Sequence, residues 1–411
     1  MLTKIKAEIV PVLSAQTSLG ENEIFNALEV PKNLDHGHLA FPVFPLAKQL
    51  RKAPPLIAKE IVEKINAAGL KSLQSAEAAG GYVNFKFRND FVQHVLTKSV
   101  HEPALGHSKV GEGKNFLIDY SSPNVAKKMH IGHLRATVIG QAIRNLAETQ
   151  GYKVTGINHL GDWGVQFGKL AWAYLKWGGE YDFENKALES LNELYVRFHD
   201  EVEKNPDLEK EGASYFKKLE DGDEKIKKIW QMILEVSLKE YQRLYEMLNV
   251  KHDVIMGEAF FNDKLEPTIA RLEKAGLLKE SDGAQVVFMD EPLPPCIIRK
   301  SDGASLYATR DLAAAIYRRE VMKADMNVYV VGAEQSLHFQ QVFQVLRKLG
   351  YDWAETCHHV GFGMYRFKEG KMASRKGQVI FMEDLLFRAI DLVRDIVRAK
   401  NPALSETERE R

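Results

Sequence analysis

Apolar residues in "IKAEIVPVLSA" and in "PPLIAKEIVEKINAAG" recur at helical spacing, the second stretch opening on prolines and closing on Gly69, the punctuation of a helix with one buried face. "GYVNFKF" then alternates Val83, Phe85 and Phe87 with Asn84, Lys86 and Arg88, the period of a strand with one apolar side. Residues 1–112 therefore read as a small α+β unit, closed by the Gly-, Lys- and His-rich linker "HEPALGHSKVGEGK". From residue 115 the pattern changes. "NFLIDYSS" reads as a strand, "HLRATVIGQAIRNLAETQG" as a helix and "YKVTGINHLGDWG" as a second strand with a glycine-rich exit, an order that predicts a βαβ unit of a parallel sheet.

The same alternation returns late in the chain. "RDLAAAIYRREVM" is helical, "NVYVVGAEQ" extended, "HFQQVFQVLRKLG" helical and "CHHVGFGM" extended. Between them, "DEKIKKIWQMILEVSLKEYQRLYEML" is a long charged helical run. The division that follows is 1–112, 113–171 for the first half of an α/β domain, 172–295 for a mainly helical insertion, 296–368 for the second half, and 369–411 for a basic loop and the start of a helical region. An open parallel sheet binds its ligand beyond the carboxyl ends of its strands, where the strand order reverses. Residues following strands in both halves are thus expected around one crevice.

Composition narrows the class. The 411 residues are 45% hydrophobic and 27% charged, as in an ordinary globular protein of several domains. No apolar run reaches the length of about 18 residues needed for a membrane span, and the amphipathic start "MLTKIKAEIVPVLSAQ" contains Glu8, unlike a secretory signal. A cytoplasmic protein without a membrane partner is expected. Cys296 and Cys357 are the two cysteines and form no Cys-x-x-Cys pair, so no structural zinc is expected. Lys plus Arg and Asp plus Glu both number 56, and any phosphate-binding surface must come from local clustering.

"SSPNVAKKMHIGH" places His130 and His133 around Gly132 at a helix start, behind Lys127 and Lys128. Two histidines at this spacing could ligate zinc, but no further ligands accompany them. A helix start after a parallel strand presents free N–H groups to a polyphosphate, Gly132 admits a flat base, and imidazole N–H groups can bear developing negative charge. A polar helix entrance is the plainer alternative. "GKMASRKGQ" gathers Lys371, Arg375 and Lys376 between glycines, either a solvated basic turn or a cationic loop able to close over phosphate. His36-Gly37-His38 lacks the preceding strand and lysines, and is expected to have no nucleotide role.

Together, His-Ile-Gly-His and the later Lys-Met-Ala-Ser-Arg resemble the paired signatures of class I aminoacyl-tRNA synthetases, the second in degenerate form. "SSPNVAKKMHIGHLR", "GDWGVQFG", "IRKSDGASLYATRDLAAA" and "VVGAEQSLHF" resemble, in order, the blocks of the arginyl-tRNA synthetase family. The resemblance spans essentially the whole chain. It implies an α/β, Rossmann-like catalytic domain split by a helical insertion, behind an N-terminal α+β domain that contacts the outer corner of tRNA. The implied substrates are ATP as its Mg²⁺ complex, L-arginine and tRNA(Arg), and the family is usually monomeric.

The resemblance also assigns residues. ATP contacts fall on His130, Gly132, His133 and Lys371, with Arg375 and Lys376 as further cations. Ser374 stands where the family loop has its second lysine, and Lys127 is expected to supply that charge. The catalytic set is then His130, His133, Lys127 and Lys371. Arginine contacts fall on Ser122, Pro123, Asn124, His133, Tyr307, Asp311 and Gln335, and Asp119 is a candidate for the α-ammonium or for a polar relay. Asp311 matches the guanidinium carboxylate, whose fork must distinguish arginine from lysine. Without the resemblance, Asp311 is simply a helix N-terminal charge and Tyr307 a core aromatic. Trp163 either shapes the pocket floor or only packs.

Family members continue into a helical domain that reads the anticodon, and the apolar spacing of "LLFRAIDLVRDIVRA" calls for a packing partner. A chain stopping short of that domain is expected to be weak or inactive in arginine-dependent pyrophosphate exchange. The alternatives are another class I synthetase, disfavoured by the Tyr307-to-Asp311 block, and a non-catalytic tRNA- or nucleotide-binding paralogue.

Overall fold

The computed structural model describes residues 2–101, 104, 106–301, 307–363, 366, 367, 370, 371 and 380–409. The chain divides into two compact units at 106/107, a few residues before the linker end read from composition.

The first unit comprises α1 (Leu2–Ser14), α2 (Glu21–Ala27), β1 (Leu39–Pro42), α3 (Phe44–Leu50), α4 (Pro54–Ala67), β2 (Leu73–Ala79), β3 (Tyr82–Phe87) and α5 (Asn89–His101). Ile5, Ile9 and Leu13 on α1 and Ile57, Ile61 and Ile65 on α4 form stripes at helical spacing. They pack on Val83, Phe85 and Phe87 of β3, the central strand of an antiparallel sheet in the order β1-β3-β2. Asn84, expected to face water, is only 5% exposed. It lines a cleft of about 450 Å³ with Glu29, Lys32, His36 and Tyr82. His38 is structural: its Nδ1 accepts from the Phe87 N–H and its ring stacks on Phe87.

The second unit starts with β4 (Asn115–Asp119), α6 (Ile131–Thr149), β5 (Lys153–Asn158), α7 (Val165–Trp177), α8 (Ala187–Lys204), α9 (Asp207–Glu220) and α10 (Glu224–Met247). It continues through β6 (Val254–Ile255), α11 (Leu265–Lys274), β7 (Leu278–Ser281), β8 (Ala284–Val287), β9 (Cys296–Arg299), α12 (Tyr307–Glu320), β10 (Met326–Gly332), α13 (Ser336–Lys348) and β11 (Cys357–Phe362). β12 (Arg366–Phe367), β13 (Gly370–Lys371), α14 (Met382–Lys400) and α15 (Glu406–Arg409) complete it.

Five strands form one sheet in the order β11-β10-β4-β5-β6, every pair parallel. Both faces are covered. Phe116 and Ile118 of β4 and Val328 and Val330 of β10 pack with residues of α7, α8 and α10, while Leu117 and Tyr329 on the opposite face meet residues of α12 and α13. The order runs outward from β4 in both directions, so the reversal lies between β4 and β10. Their carboxyl ends open the expected crevice.

The segment 172–295 is mainly helical but also holds short strands. α8 to α11 are helical, but β6 joins the parallel sheet from inside it, and β7 and β8 form an antiparallel sheet with β9. β6 has two residues, too short for any periodic signal to register. On α14 the expected apolar spacing is present, and Phe387, Ile390, Val393 and Ile396 are exposed. No helix among the described residues is long and apolar enough to cross a membrane.

Candidate active site

From the end of β4, residues 120–130 run to the first turn of α6 through an irregular loop. Ser121, Ser122 and Ala126 all have positive φ, at 73°, 47° and 67°, a conformation costing a non-glycine residue about 1–2 kcal/mol each. Such backbone persists only where its surroundings over-determine it. The bracing comes from one face of α10, where Ser237, Tyr241 and Tyr245 repeat every four residues. Ser237 Oγ accepts from the Ala126 N–H at 2.9 Å. The Tyr241 hydroxyl donates between the carbonyls of Asn124 and Lys127, at 2.8 and 2.7 Å. The Tyr245 hydroxyl meets Ser121 Oγ at 2.8 Å and accepts from Asn158 Nδ2 at 3.1 Å. The exit of β5 supports the other side: Val125 N donates to Gly161 O and Gly161 N to Pro123 O, both at 3.1 Å. A Cβ on Gly161 would stand 2.1 Å from Asn124 Oδ1, so any larger residue would displace the Asn124 side chain.

The loop ends in an interlocked histidine pair. His130 Nδ1 accepts from the Gly132 N–H at 3.1 Å, and His133 Nδ1 accepts from the His130 N–H at 3.0 Å, with ring centroids 3.9 Å apart. Burial, then the Lys127 charge, lowers the His130 imidazole below its usual value. Burial, then His130, pushes His133 down to about 3. Both rings are therefore neutral near pH 7. With each Nδ1 accepting, the ring proton sits on Nε2, which makes each Nε2–H a donor beside the amino end of α6.

The chain beyond the basic loop returns here. Ile131 N donates to Ile380 O at 3.0 Å and Met382 N to Met129 O at 2.9 Å, and His130 bridges Phe381. Lys128 pairs with Glu189 at 2.6 Å, and Lys127 is exposed with Nζ 5.3 Å over the Tyr195 ring. Lys371 is in β13, which pairs with β12. Arg375 and Lys376, like Ser374, lie outside the described residues.

The second wall is built from carboxylates. Asp311 is the fifth residue of α12, inside the helix rather than at its first turn, and its Oδ2 lies 2.5 Å from His338 Nε2 on α13. Glu258 follows β6. Burial drives its carboxyl up to about 7, opposed by the Arg310 charge and reinforced by the nearby Asp162 and Asp311. Burial also raises Asp162, against a bond from the Ala259 N–H. The His159 imidazole is lowered by burial, and its Nδ1 is buried without a partner. Tyr307, the first residue of α12, is 70% exposed, so it is not a core aromatic. Gln335, in the turn after β10, is exposed.

Of the two roles open to Asp119, its contacts favour the relay. Its carboxylate is taken up inside the protein: Arg318 Nη2 donates to Oδ2 at 2.6 Å and Ser122 Oγ to Oδ1 at 2.8 Å. Burial pushes this carboxyl up, but the Arg318 charge, with His159 and the bonds from Arg318 and Ser122, outweighs it and holds the group below the usual carboxylate range. Both oxygens of Asp119 are thus already bonded, one to Arg318 and one to Ser122. Trp163 packs edge-on against Phe216 and Trp230.

Sequence reasoning missed Ser237, Tyr241, Tyr245, Glu258, Arg318 and His338. The four-residue spacing on α10 and the position of His338 inside "VVGAEQSLHF" were visible, but their partners lie far away in the chain.

A parallel sheet with a histidine pair at the helix following its central strand, and residues 380–382 beyond the basic loop pairing beside it, is the arrangement of a class I aminoacyl-tRNA synthetase catalytic domain. The family model described as tRNA synthetases class I (R), catalytic domain, matches residues 92–411, and the arginyl tRNA synthetase N terminal domain matches residues 3–87. The chain belongs to the arginyl-tRNA synthetase family. It is 48% identical over 384 residues to the arginine–tRNA ligase of Clostridium perfringens, covering 93% of this chain and 67% of that protein. To the arginine–tRNA ligase of Clostridioides difficile it is 48% identical over 387 residues, covering 93% and 68%. Arginyl-tRNA synthetases of Thermus thermophilus and Plasmodium falciparum share the fold, with TM-scores of 0.73 and 0.72 at 23% identity. They cover 93% and 96% of this chain, and 68% and 69% of theirs.

Proposed function

We propose that this chain is an arginine–tRNA ligase, activating L-arginine with MgATP and passing it to tRNA(Arg). The observation that carries this reading is the pairing of the His130–His133 donors at the amino end of α6 with a group of carboxyls, in which burial raises Glu258 and Asp162 and Asp311 acts on the charge of Glu258. The first suits a nucleotide and the second a permanently charged guanidinium.

In the proposed reaction, MgATP lies along the amino end of α6. His130, Gly132 and His133 meet its phosphates and adenine, and Lys127, Lys371, Arg375 and Lys376 supply charge. The α-carboxylate of arginine attacks the α-phosphorus, the bond to the β,γ-diphosphate breaks, and pyrophosphate departs. The Nε2–H donors stabilise charge that grows on the phosphoryl oxygens in the transition state. No protein nucleophile is needed, and the work is positioning and electrostatics. Ser122, Pro123, Asn124, Gln335 and His133 hold the amino-acid end, Ser122 being oriented by Asp119, while Asp311 and Glu258 face the guanidinium beside Tyr307. A ribose hydroxyl of the terminal tRNA adenosine then attacks the arginyl carbonyl and releases AMP. The first unit contacts the outer corner of the tRNA, where recognition rests on shape and phosphate. The enzyme acts as a cytoplasmic monomer.

Calorimetry with L-arginine, L-lysine and L-citrulline tests the reading. Arginine should bind, citrulline should not, because it lacks the charge, and lysine should bind far more weakly for want of a fork. Comparable binding of all three would defeat it.

A further inference from the structure

His338 is the third residue of α13 and reaches a carboxylate 27 positions earlier in the chain. An ionised Asp311 only accepts, so Nε2 is the donor. The two side chains are 22% and 25% exposed, partly open to solvent rather than sealed in the core. Next to His338, Phe339 is buried against Tyr329 and Phe343 and stacks on His359, whose Nε2 lies 3.0 Å from Val331 O. The start of α13 is thereby anchored to β10 and β11.

A partly exposed carboxylate turns easily about its last torsion, which is broad and two-fold. A guanidinium fork gains specificity only when the plane of that carboxylate is fixed. His338 occupies Oδ2, and Oδ1 accepts nothing from the described residues. We propose that His338 is a positioning residue for arginine recognition: its bond to Oδ2 sets the plane of Asp311 and presents Oδ1 to the guanidinium. The guanidinium's remaining N–H groups then fall to a second acceptor. This inference rests on the guanidinium role proposed for Asp311.

The test is L-arginine and MgATP affinity by calorimetry for the whole chain and three variants, with thermal unfolding alongside. His338→Leu removes the donor. His338→Gln returns an N–H at the reach of Nε2, and His338→Asn returns one that falls short. His338→Leu should weaken arginine by roughly 10- to 100-fold, and His338→Gln should restore it to within about three-fold of wild type. His338→Asn should behave like His338→Leu, and MgATP affinity and unfolding temperature should stay level. Arginine binding to His338→Leu as tight as wild type, or tighter, overturns the proposal, since His338 would then obstruct Asp311 instead of aiming it. Equal loss of MgATP overturns it as well. If His338→Leu does not fold, the Gln and Asn variants decide, and equal affinities sink the idea. Failure of the wild-type chain to bind arginine removes the guanidinium role of Asp311, and this inference with it.

Discussion

The loop that carries His130 and His133 and the wall that carries Glu258 and Asp311 both lie beyond carboxyl ends of parallel strands, but their polar groups are settled differently. In the loop, Nδ1 of each histidine, the Ala126 N–H and the carbonyls of Asn124 and Lys127 have partners within the protein. Its strained backbone is held by three side chains of a single helix. In the wall, burial has raised two carboxyls, and Arg310 only partly offsets the effect at Glu258. Under the proposed function, the loop is finished in advance because a polyphosphate needs donors at fixed points, and the wall is left short of positive charge because arginine would bring it.

Breaking the support common to both sides should have the largest effect. Arg318→Met leaves Asp119 buried without its counter-charge and should lower stability by about 3–5 kcal/mol in a denaturant titration. A loss below about 1 kcal/mol would mean that water reaches Asp119 and that the relay is not closed. Asp311→Asn comes next. It should weaken L-arginine by at least roughly 100-fold and leave MgATP within a few-fold, because only the guanidinium loses its partner. Parallel loss of both ligands would take Asp311 out of the role given to it.

A smaller effect distinguishes the two sides by pH. The Glu258 carboxyl, raised to about 7, is protonated in the free protein below that value, and a guanidinium favours the ionised form. Arginine binding below pH 7 then releases a proton, so affinity should rise by up to about ten-fold per pH unit toward 7 and level off above it. Glu258→Gln should flatten that slope, and a slope that survives the substitution assigns the proton to another group. The smallest effect concerns the loop. Tyr241→Phe takes the hydroxyl from two carbonyls and should cost about 1 kcal/mol of stability, weakening MgATP a few-fold more than arginine. Equal weakening would show that α10 supports both sides alike.

Much of the α/β frame was legible because strands buried on both faces read as short apolar runs between amphipathic helices, as in "NFLID" and "NVYVV". The first unit was legible from helical spacing and from the alternation in "GYVNFKF", apart from Asn84, whose polar character pointed to the wrong environment. β6 was not legible, since two residues in a sheet are recruited by β5 and not by their own pattern. Among site residues, His130, Gly132 and His133 could be found by local spacing, for their bonds run within four residues. Asp119 could be named but not understood, because its partner Arg318 is 199 positions away.

By itself the sequence determined most of the elements and the short-range histidine motif, since these depend on periodicity or contacts between near neighbours, and its ordered motifs carried the resemblance to the family. The tertiary structure alone decided which charges meet. It closed Asp119 onto Arg318, set His338 against Asp311, carried Glu258 into a site where its carboxyl resists ionisation, and laid one face of α10 against a strained loop. Charges respond to distance and burial, and neither is a property of position along a chain.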